Sequence, residues 1–439
     1  MLTAKYKTGL VFFPAFDWAI SPTHPEREER LLYTQDQVIE EGLLDVEGIE
    51  EFKPDLVTKN DIERVHFCMP DVWHAATESH FISAGGAKTV GMAVMEGEVE
   101  RGFALVRPPG HHAMRVVQGA RGFCNINIEA VMLEFLRAAY AVDRVAIVDT
   151  DCHHGDGTQD IYWHDPDTLF ISIHQDGRTL YPGSGFPQDF GGPTAAGTTL
   201  NIPLPPGTSD EGFLYIIDEV VNPILDDFKP ELIINSAGQD NHYSDPITNM
   251  NFSAQGYAQL TAKLGAQIAV LEGGYAIEGA LPYTNAGIIA AMAGLDYQGI
   301  VEPDYAPREL RQSEQVTRYI AGVGQEVLKI WNDRQALRRQ LGSPGSFHEN
   351  RRSIYYDTDQ INENQQEVLR VCDRCSGVWK IESTARPGWN LQAVHIPRKA
   401  CSACRKQGLA WHAGADRRRF EVACLQDRTQ DSYQVRSLR

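Results

Sequence analysis

The chain has 439 residues, 42% hydrophobic and 23% charged, enough apolar material for one large α/β domain with a smaller unit attached. Its formal net charge of −19 argues against nucleic-acid binding by the chain as a whole. The N-terminal apolar patch LVFFPAF is short and broken by Pro14, so no secretory segment or membrane span is expected, and a cytoplasmic location is.

From about residue 8 to 300, short apolar runs alternate with helical patterns. FALVRPPG (103–110), VAIVDTDCHHG (145–155), LFISIHQD (169–176), LIINSAGQD (232–240) and AVLEGGYA (269–276) each read as a strand running into Gly and polar residues. Between them, IEAVMLEFLRAAYA (128–141) and EGFLYIIDEVVNPILDDF (211–228) read as helices. This alternation predicts an α/β fold with an open, mainly parallel sheet sandwiched by helices. Ligands of such sheets bind outside the carboxyl ends of the strands, where every unusual polar cluster of this chain lies. Residues 315–341 predict a last surface helix, which closes a first unit at 1–341. The polar stretch 342–366 then reads as a linker.

The polar clusters carry the chemistry. VDTDCHHGDG offers Asp151 and His153 as metal ligands, with Asp149 and Asp156 free to orient other groups; a hydrogen-bonded loop is the competing reading. Asp240 ends its own strand as a third ligand candidate. Two Asp, one His and an open position suit a catalytic rather than a structural zinc site. His111 and His112 follow a rigid Pro-Pro-Gly turn and offer paired imidazoles for proton transfer. Tyr275 follows Gly273 and Gly274, where a phenol can donate to a developing oxyanion.

The cysteines sort into two groups. Cys68, Cys124, Cys152 and Cys424 stand singly, whereas Cys372-x-x-Cys375 and Cys401-x-x-Cys404 are paired knuckles about 25 residues apart. Four such thiolates suit a closed structural Zn²⁺ site, placed in a zinc-ribbon-like module at 367–439 whose folding the metal would support. Trp379, Trp389 and Trp411 are expected to pack around it. Residues 366–439 carry about +7 and the rest of the chain about −26, a split that marks two units. With no base-stacking pattern evident, docking on the acidic unit or a protein contact is preferred for the basic module over nucleic-acid binding.

RPPGHHA, VDTDCHHGDG, SIHQD, LYPGSG, SAGQD and LEGGY, in this order, resemble the histone deacetylase family. The wording is similar to its class II branch and to its bacterial acetoin-utilisation and acetylpolyamine amidohydrolase branches. The resemblance spans about residues 8–300 and implies the arginase–deacetylase fold. It implies Asp151, His153 and Asp240 as ligands of a catalytic Zn²⁺, with Fe²⁺ as an alternative. It also implies His112 as general base and acid, His111 as its electrostatic partner, and Asp149 and Asp156 as the carboxylates behind them. Tyr275 falls on the carbonyl-polarising phenol. Gly122, Phe123, Tyr181, Gly273 and Gly274 fall on the acyl-lysine channel, and Ser172 near an alkali-ion (K⁺) site.

The activity implied is metal-dependent hydrolysis of an N-acyl, above all acetyl, amide on lysine side chains or similar amines, by a homo-oligomer. Acetylpolyamine hydrolysis is the first alternative and a silent binding scaffold the second. The sequence departs from the family at Gln239, where relatives carry an aromatic, which puts the pocket's shape in question. Gly155 replaces the last carboxylate of the dinuclear arginase run, and Ile247 stands where one polyamine-specific branch has a gatekeeper Glu.

Overall fold

The computed structural model describes residues 2–68 and 76–439, the side chain of Cys68 excepted. One sheet holds β1 (Thr3–Phe13), β2 (Glu47–Phe52), β3 (Arg101–Val106), β4 (Val145–Asp149), β5 (Thr168–Gln175), β6 (Thr199–Leu204), β7 (Leu232–Ser236) and β8 (Ile268–Val270). Their spatial order is β2-β1-β3-β8-β7-β4-β5-β6, and every neighbouring pair is parallel. Parallel pairing needs crossover helices that cover both faces, so the strands are buried on both sides and read as apolar runs with few polar residues rather than as alternating patterns. Every residue of β4, β5 and β6 is accordingly buried.

Helices Glu78–Met95 and Ile128–Ala139 seal one face, where Phe81, Met132 and Leu136 pack on Val106 and Ile147. The second starts where Asn127 Oδ1 accepts the Ala130 N–H at 2.9 Å, an N-cap that removes one orphan donor. Helices Ala254–Leu264, Leu281–Ala293 and Glu314–Leu341 belong to the other face, together with two helical segments spanning Asp210–Ile216 and Asn222–Phe228. The last surface helix therefore lies where its periodicity places it.

The middle of the sheet positions the chemistry. β3, β8, β7 and β4 are spatial neighbours although far apart in sequence. The loops that follow them hold His111 and His112, Glu272 to Tyr275, Asp240, and Asp151 to Asp156, and they leave the sheet side by side.

Beyond residue 341 the structure corrects the expected linker and small ribbon. Strands β9 (Phe347–Tyr356) and β10 (Ile361–Arg370) form an antiparallel hairpin. The sheet continues through β11 (Val378–Arg386), β12 (Asn390–Ile396), β13 (Val422–Asp427) and β14 (Ser432–Ser437) in that spatial order. All pairs are antiparallel except β12 with β13, which helix Ser402–Ala413 connects. The linker reading fails because polar side chains share the hairpin's inward face with Ile354, Tyr356 and Leu369. Glu363 and Gln365, alternate residues of β10, are buried, and Tyr356 Oη and Gln365 Nε2 donate to the Glu363 carboxylate at 2.7 and 2.9 Å. A strand of period two is hidden by that composition.

This C-terminal unit also has an apolar core, in which Leu369, Trp379, Ile381 and Leu391 pack with Phe67 and Val116 of the first unit. An apolar core thus contributes to its folding beside any metal the cysteines hold. The docking reading is met in part. Arg398 and Lys399 reach Asp143 and Asp167 at 3.1 and 2.8 Å, and Arg428 reaches Glu134 at 2.7 Å. Arg405 and Arg419 turn back instead to Asp427 and Glu382 of their own unit. Among the described residues, no helix is long and apolar enough to cross a membrane.

Candidate active site and metal centre

Asp151, His153 and Asp240 converge, with one potential ligand atom from each lying within 4.8 Å of the others. Backbone N–H groups fix the carboxylates: Gly273 donates to Asp151 Oδ2 at 2.7 Å, and Cys152 donates to Asp240 Oδ1 at 2.8 Å. The imidazole Nδ1 of His153 lies 2.8 Å from Asp240 Oδ2 and 3.2 Å from Asp151 Oδ1. Both carboxylates are fully buried, and among the described residues no Lys or Arg pairs with either. Two buried carboxylates paired with no Lys or Arg form an electronegative site, and this donor set fits one divalent cation. Gly273 is required there, because a Cβ would lie 2.3 Å from Asp240 Oδ2 and 2.6 Å from Asp151 Oδ2.

The vicinal histidines stand above this centre, their ring centroids 4.1 Å apart. His111 Nδ1 faces Asp149 Oδ2 at 3.0 Å, and His112 Nδ1 faces Asp156 Oδ1 at 2.7 Å. Because an ionised carboxylate only accepts, Nδ1 of His112 donates and its Nε2 remains for the pocket. Burial and the neighbouring His111 push the His112 imidazole down to about 3, so it is neutral and Nε2 carries a lone pair. For His111, burial is outweighed by the Asp151 and Asp149 carboxylates, which raise its pKa well above the ordinary value.

The pocket in front of these groups measures about 250 Å³ and is lined in part by Phe123, Tyr181, Gly122 and Tyr275. The rings of Phe123 and Tyr275 meet edge to face at 5.8 Å, and those of His112 and Tyr181 at 5.3 Å. Burial raises the Tyr275 phenol well above its usual pKa, so it is a donor, and among the described residues its hydroxyl has no partner. Gly122 lies against His112, where a Cβ would come within 2.3 Å of the ring.

One of the residues expected to line the channel sits elsewhere by geometry. Gly274 (φ 121°) is structural: its carbonyl accepts from Arg30 Nε at 2.7 Å, and a φ in this range favours glycine. Ser172 lies opposite Asp149 in the β4–β5 register, with its hydroxyl 2.9 Å from His174 Nδ1, outside the pocket. Gln239 leaves the pocket's shape alone, since its side chain bonds Asn285 and it is buried away from the lining.

Several supporting residues were not foreseen. Arg121 grips Asp156 Oδ2 through Nε and Nη2 at 2.8 and 2.6 Å, completing a chain from guanidinium to carboxylate to His112. Glu272 Oε2 accepts the N–H groups of Gly110 and His111 at 2.7 and 3.0 Å, which pins the histidine loop. Glu26, Arg30 and Arg107 form a wholly buried network under the Tyr275 loop, with pairs at 2.8 and 2.7 Å. Glu272 and Arg107 lie inside the LEGGY and RPPGHHA motifs, a signal that could have drawn attention. Nothing local marks Arg121, Glu26 or Arg30.

At the other unit the Cys372, Cys375, Cys401 and Cys404 thiols lie within 4.8 Å of one another, a donor set that fits a tetrahedral metal site. Trp411 packs beside these cysteines, whereas Trp379 and Trp389 belong to the unit's other core, contrary to expectation. Cys424 is buried there as well, and burial pushes its thiol up to about 12.

A family model described as a histone deacetylase domain matches residues 67–291. A probable deacetylase of Archaeoglobus fulgidus is 44% identical over 332 residues, which covers 69% of this chain and 91% of that protein. An acetylpolyamine amidohydrolase of Burkholderia pseudomallei is 37% identical over 211 residues, 47% of this chain and 59% of that protein. The crystal structure of the HDA15 HD domain superposes with a TM-score of 0.64 at 26% identity, covering 76% of this chain and 98% of that one.

Proposed function

Because the chain belongs to the histone deacetylase family, whose members hydrolyse amides, we propose that it removes acetyl groups from lysine side chains, with His112 as general base and acid. Asp151, His153 and Asp240 would hold the divalent cation, Zn²⁺ or Fe²⁺. Bound there, such an ion supplies Lewis-acid polarisation of the amide oxygen and lowers the pKa of water from about 15.7 towards 7. His112 Nε2 takes the proton of the attacking water and returns a proton to the leaving amine. Asp156 holds His112 in the required tautomer, and Arg121 holds Asp156. Tyr275 donates its hydroxyl proton in a hydrogen bond to the oxygen as negative charge develops on it. Phe123 and Tyr181 flank the aliphatic stem of the substrate.

The observation that carries this reading is the convergence of the ligand triad, a neutral His112 and the unpartnered Tyr275 hydroxyl on one pocket. A silent scaffold has no use for that complete set. Acetylated polyamines remain the second reading, favoured by the activity named for the Burkholderia relative; the acidic first unit suits a cationic substrate of either kind. We assign a structural Zn²⁺ to the four cysteines. A K⁺ beside Ser172 completes the reading, resting on that residue's place opposite Asp149.

A substrate panel tests it. Enzyme stripped by chelation and reloaded with Zn²⁺ or Fe²⁺ is expected to deacetylate acetyl-lysine peptides, and stripped enzyme is not. Hydrolysis of acetylated diamines alone would move the assignment to the second reading.

A further inference from the structure

The turn between β9 and β10 sits on the rim of the pocket. Asp357, in that turn, lines the same cavity as Phe123, Tyr181 and Tyr275. One of its carboxylate oxygens, Oδ1, accepts from two separate walls: the Tyr181 hydroxyl at 2.9 Å and the Gly122 backbone N–H at 3.1 Å. The neighbouring contacts clamp the same loop. Ala120 N–H donates to Asp359 Oδ2 at 2.7 Å, and the Arg121 guanidinium donates to the Tyr355 carbonyl. Arg121 is also the group that grips Asp156 behind His112. The second oxygen of Asp357 has no hydrogen-bond partner among the described residues, and the residue is only half-buried. A carboxylate oxygen open at the mouth of a largely apolar channel is an acceptor suited to an N–H donor.

We propose that Asp357 is a substrate-binding residue which the C-terminal unit delivers to the active site. Its Oδ1 ties two channel walls together. Its Oδ2 takes an N–H donor that the acylated amine carries beyond its aliphatic stem, either the backbone amide of an acyl-lysine or the second ammonium of an acylated diamine. The inference rests on the deacetylase reading and defines which amines that site selects. An acylated amine with no second N–H donor gains nothing from Asp357.

The test is steady-state kinetics of metal-replete full-length enzyme, Asp357→Ala and Asp357→Asn. Three substrates are compared: an acetyl-lysine peptide, monoacetylated 1,4-diaminobutane, and N-butylacetamide, which lacks the second donor. Asp357→Ala is expected to raise KM for the first two by about tenfold relative to N-butylacetamide, the size of one charge-assisted hydrogen bond. Asp357→Asn keeps an oxygen for Tyr181 and Gly122 but puts an NH2, a donor, where Oδ2 accepts, so KM should rise for the peptide and the diamine alike while the channel walls stay tied. Metal content and melting temperature identify a misfolded Ala variant, and the Asn variant then decides. If the wild type is active and substrate ratios in the folded variants stay within about twofold of it, a difference too small for a hydrogen bond, the inference is overturned while the deacetylase reading stands. Wild-type enzyme inactive on all three substrates would overturn that reading and this inference with it.

Discussion

Asp156 shows how much of the chemistry rests on single contacts. One carboxylate oxygen faces His112 Nδ1 and the other faces Arg121, so the imidazole is oriented by a group that is itself held. Arg121→Ala leaves Asp156 buried with one oxygen unpaired, and kcat on an acetyl-lysine peptide is expected to fall about 10–100-fold. Unchanged kcat would show that Asp156 needs no second partner. Tyr275→Phe removes only a hydroxyl that has no structural partner, so the fold is expected to be retained while kcat falls about 10²–10³-fold. Thermal melting together with kcat checks both parts of that expectation. The ligands, both histidines and Tyr275 were legible because each stands in a short motif at the end of an apolar run. Arg121 was not, since its partner lies 35 residues away and only the folded loop brings them together.

At the scale of elements, four neighbouring strands of the parallel sheet bring their following loops into one place, and the loop backbones set the tolerance. Gly273 is the tightest point, with its N–H on Asp151 and its Cα face against both ligand carboxylates. Gly273→Ala must push those carboxylates apart, so the variant should keep the cysteine-bound metal and lose the active-site metal, which metal analysis after desalting checks. Full occupancy of both sites would show that the loop has more room than these contacts allow. These strands could be read from sequence because burial on both faces makes them apolar runs with few polar residues. The β9–β10 hairpin could not, because Glu363 and Gln365 are buried in it beside Ile354, Tyr356 and Leu369, which breaks the apolar alternation a strand would show.

On the scale of the whole molecule, the two units are joined by charge as well as by an apolar patch. Burial opposes ionisation of Glu134, but the Arg428 and Arg137 guanidiniums outweigh it and hold its carboxyl down at about 2, against an ordinary 4.5. A depressed carboxylate contributes stability that is present above its ordinary pKa and lost as pH falls towards the folded value. Stability should therefore decline between pH 4.5 and about 2, and Glu134→Gln should make that acid limb shallower in thermal melts. Superimposable acid limbs would count against a role for this ion pair. The sign reversal of charge near residue 366 foretold the docking, while the six-stranded architecture that achieves it was concealed by a polar, loop-like composition.

The most direct test of the account is the metal content per chain, measured together with acetyl-lysine hydrolysis, for wild type and an Asp151→Ala/Asp240→Ala variant. Two convergent donor sets predict two divalent ions in the wild type and one in the variant, with hydrolysis lost alongside the missing ion. Two divalent ions in both proteins, or hydrolysis persisting in the variant, would contradict it.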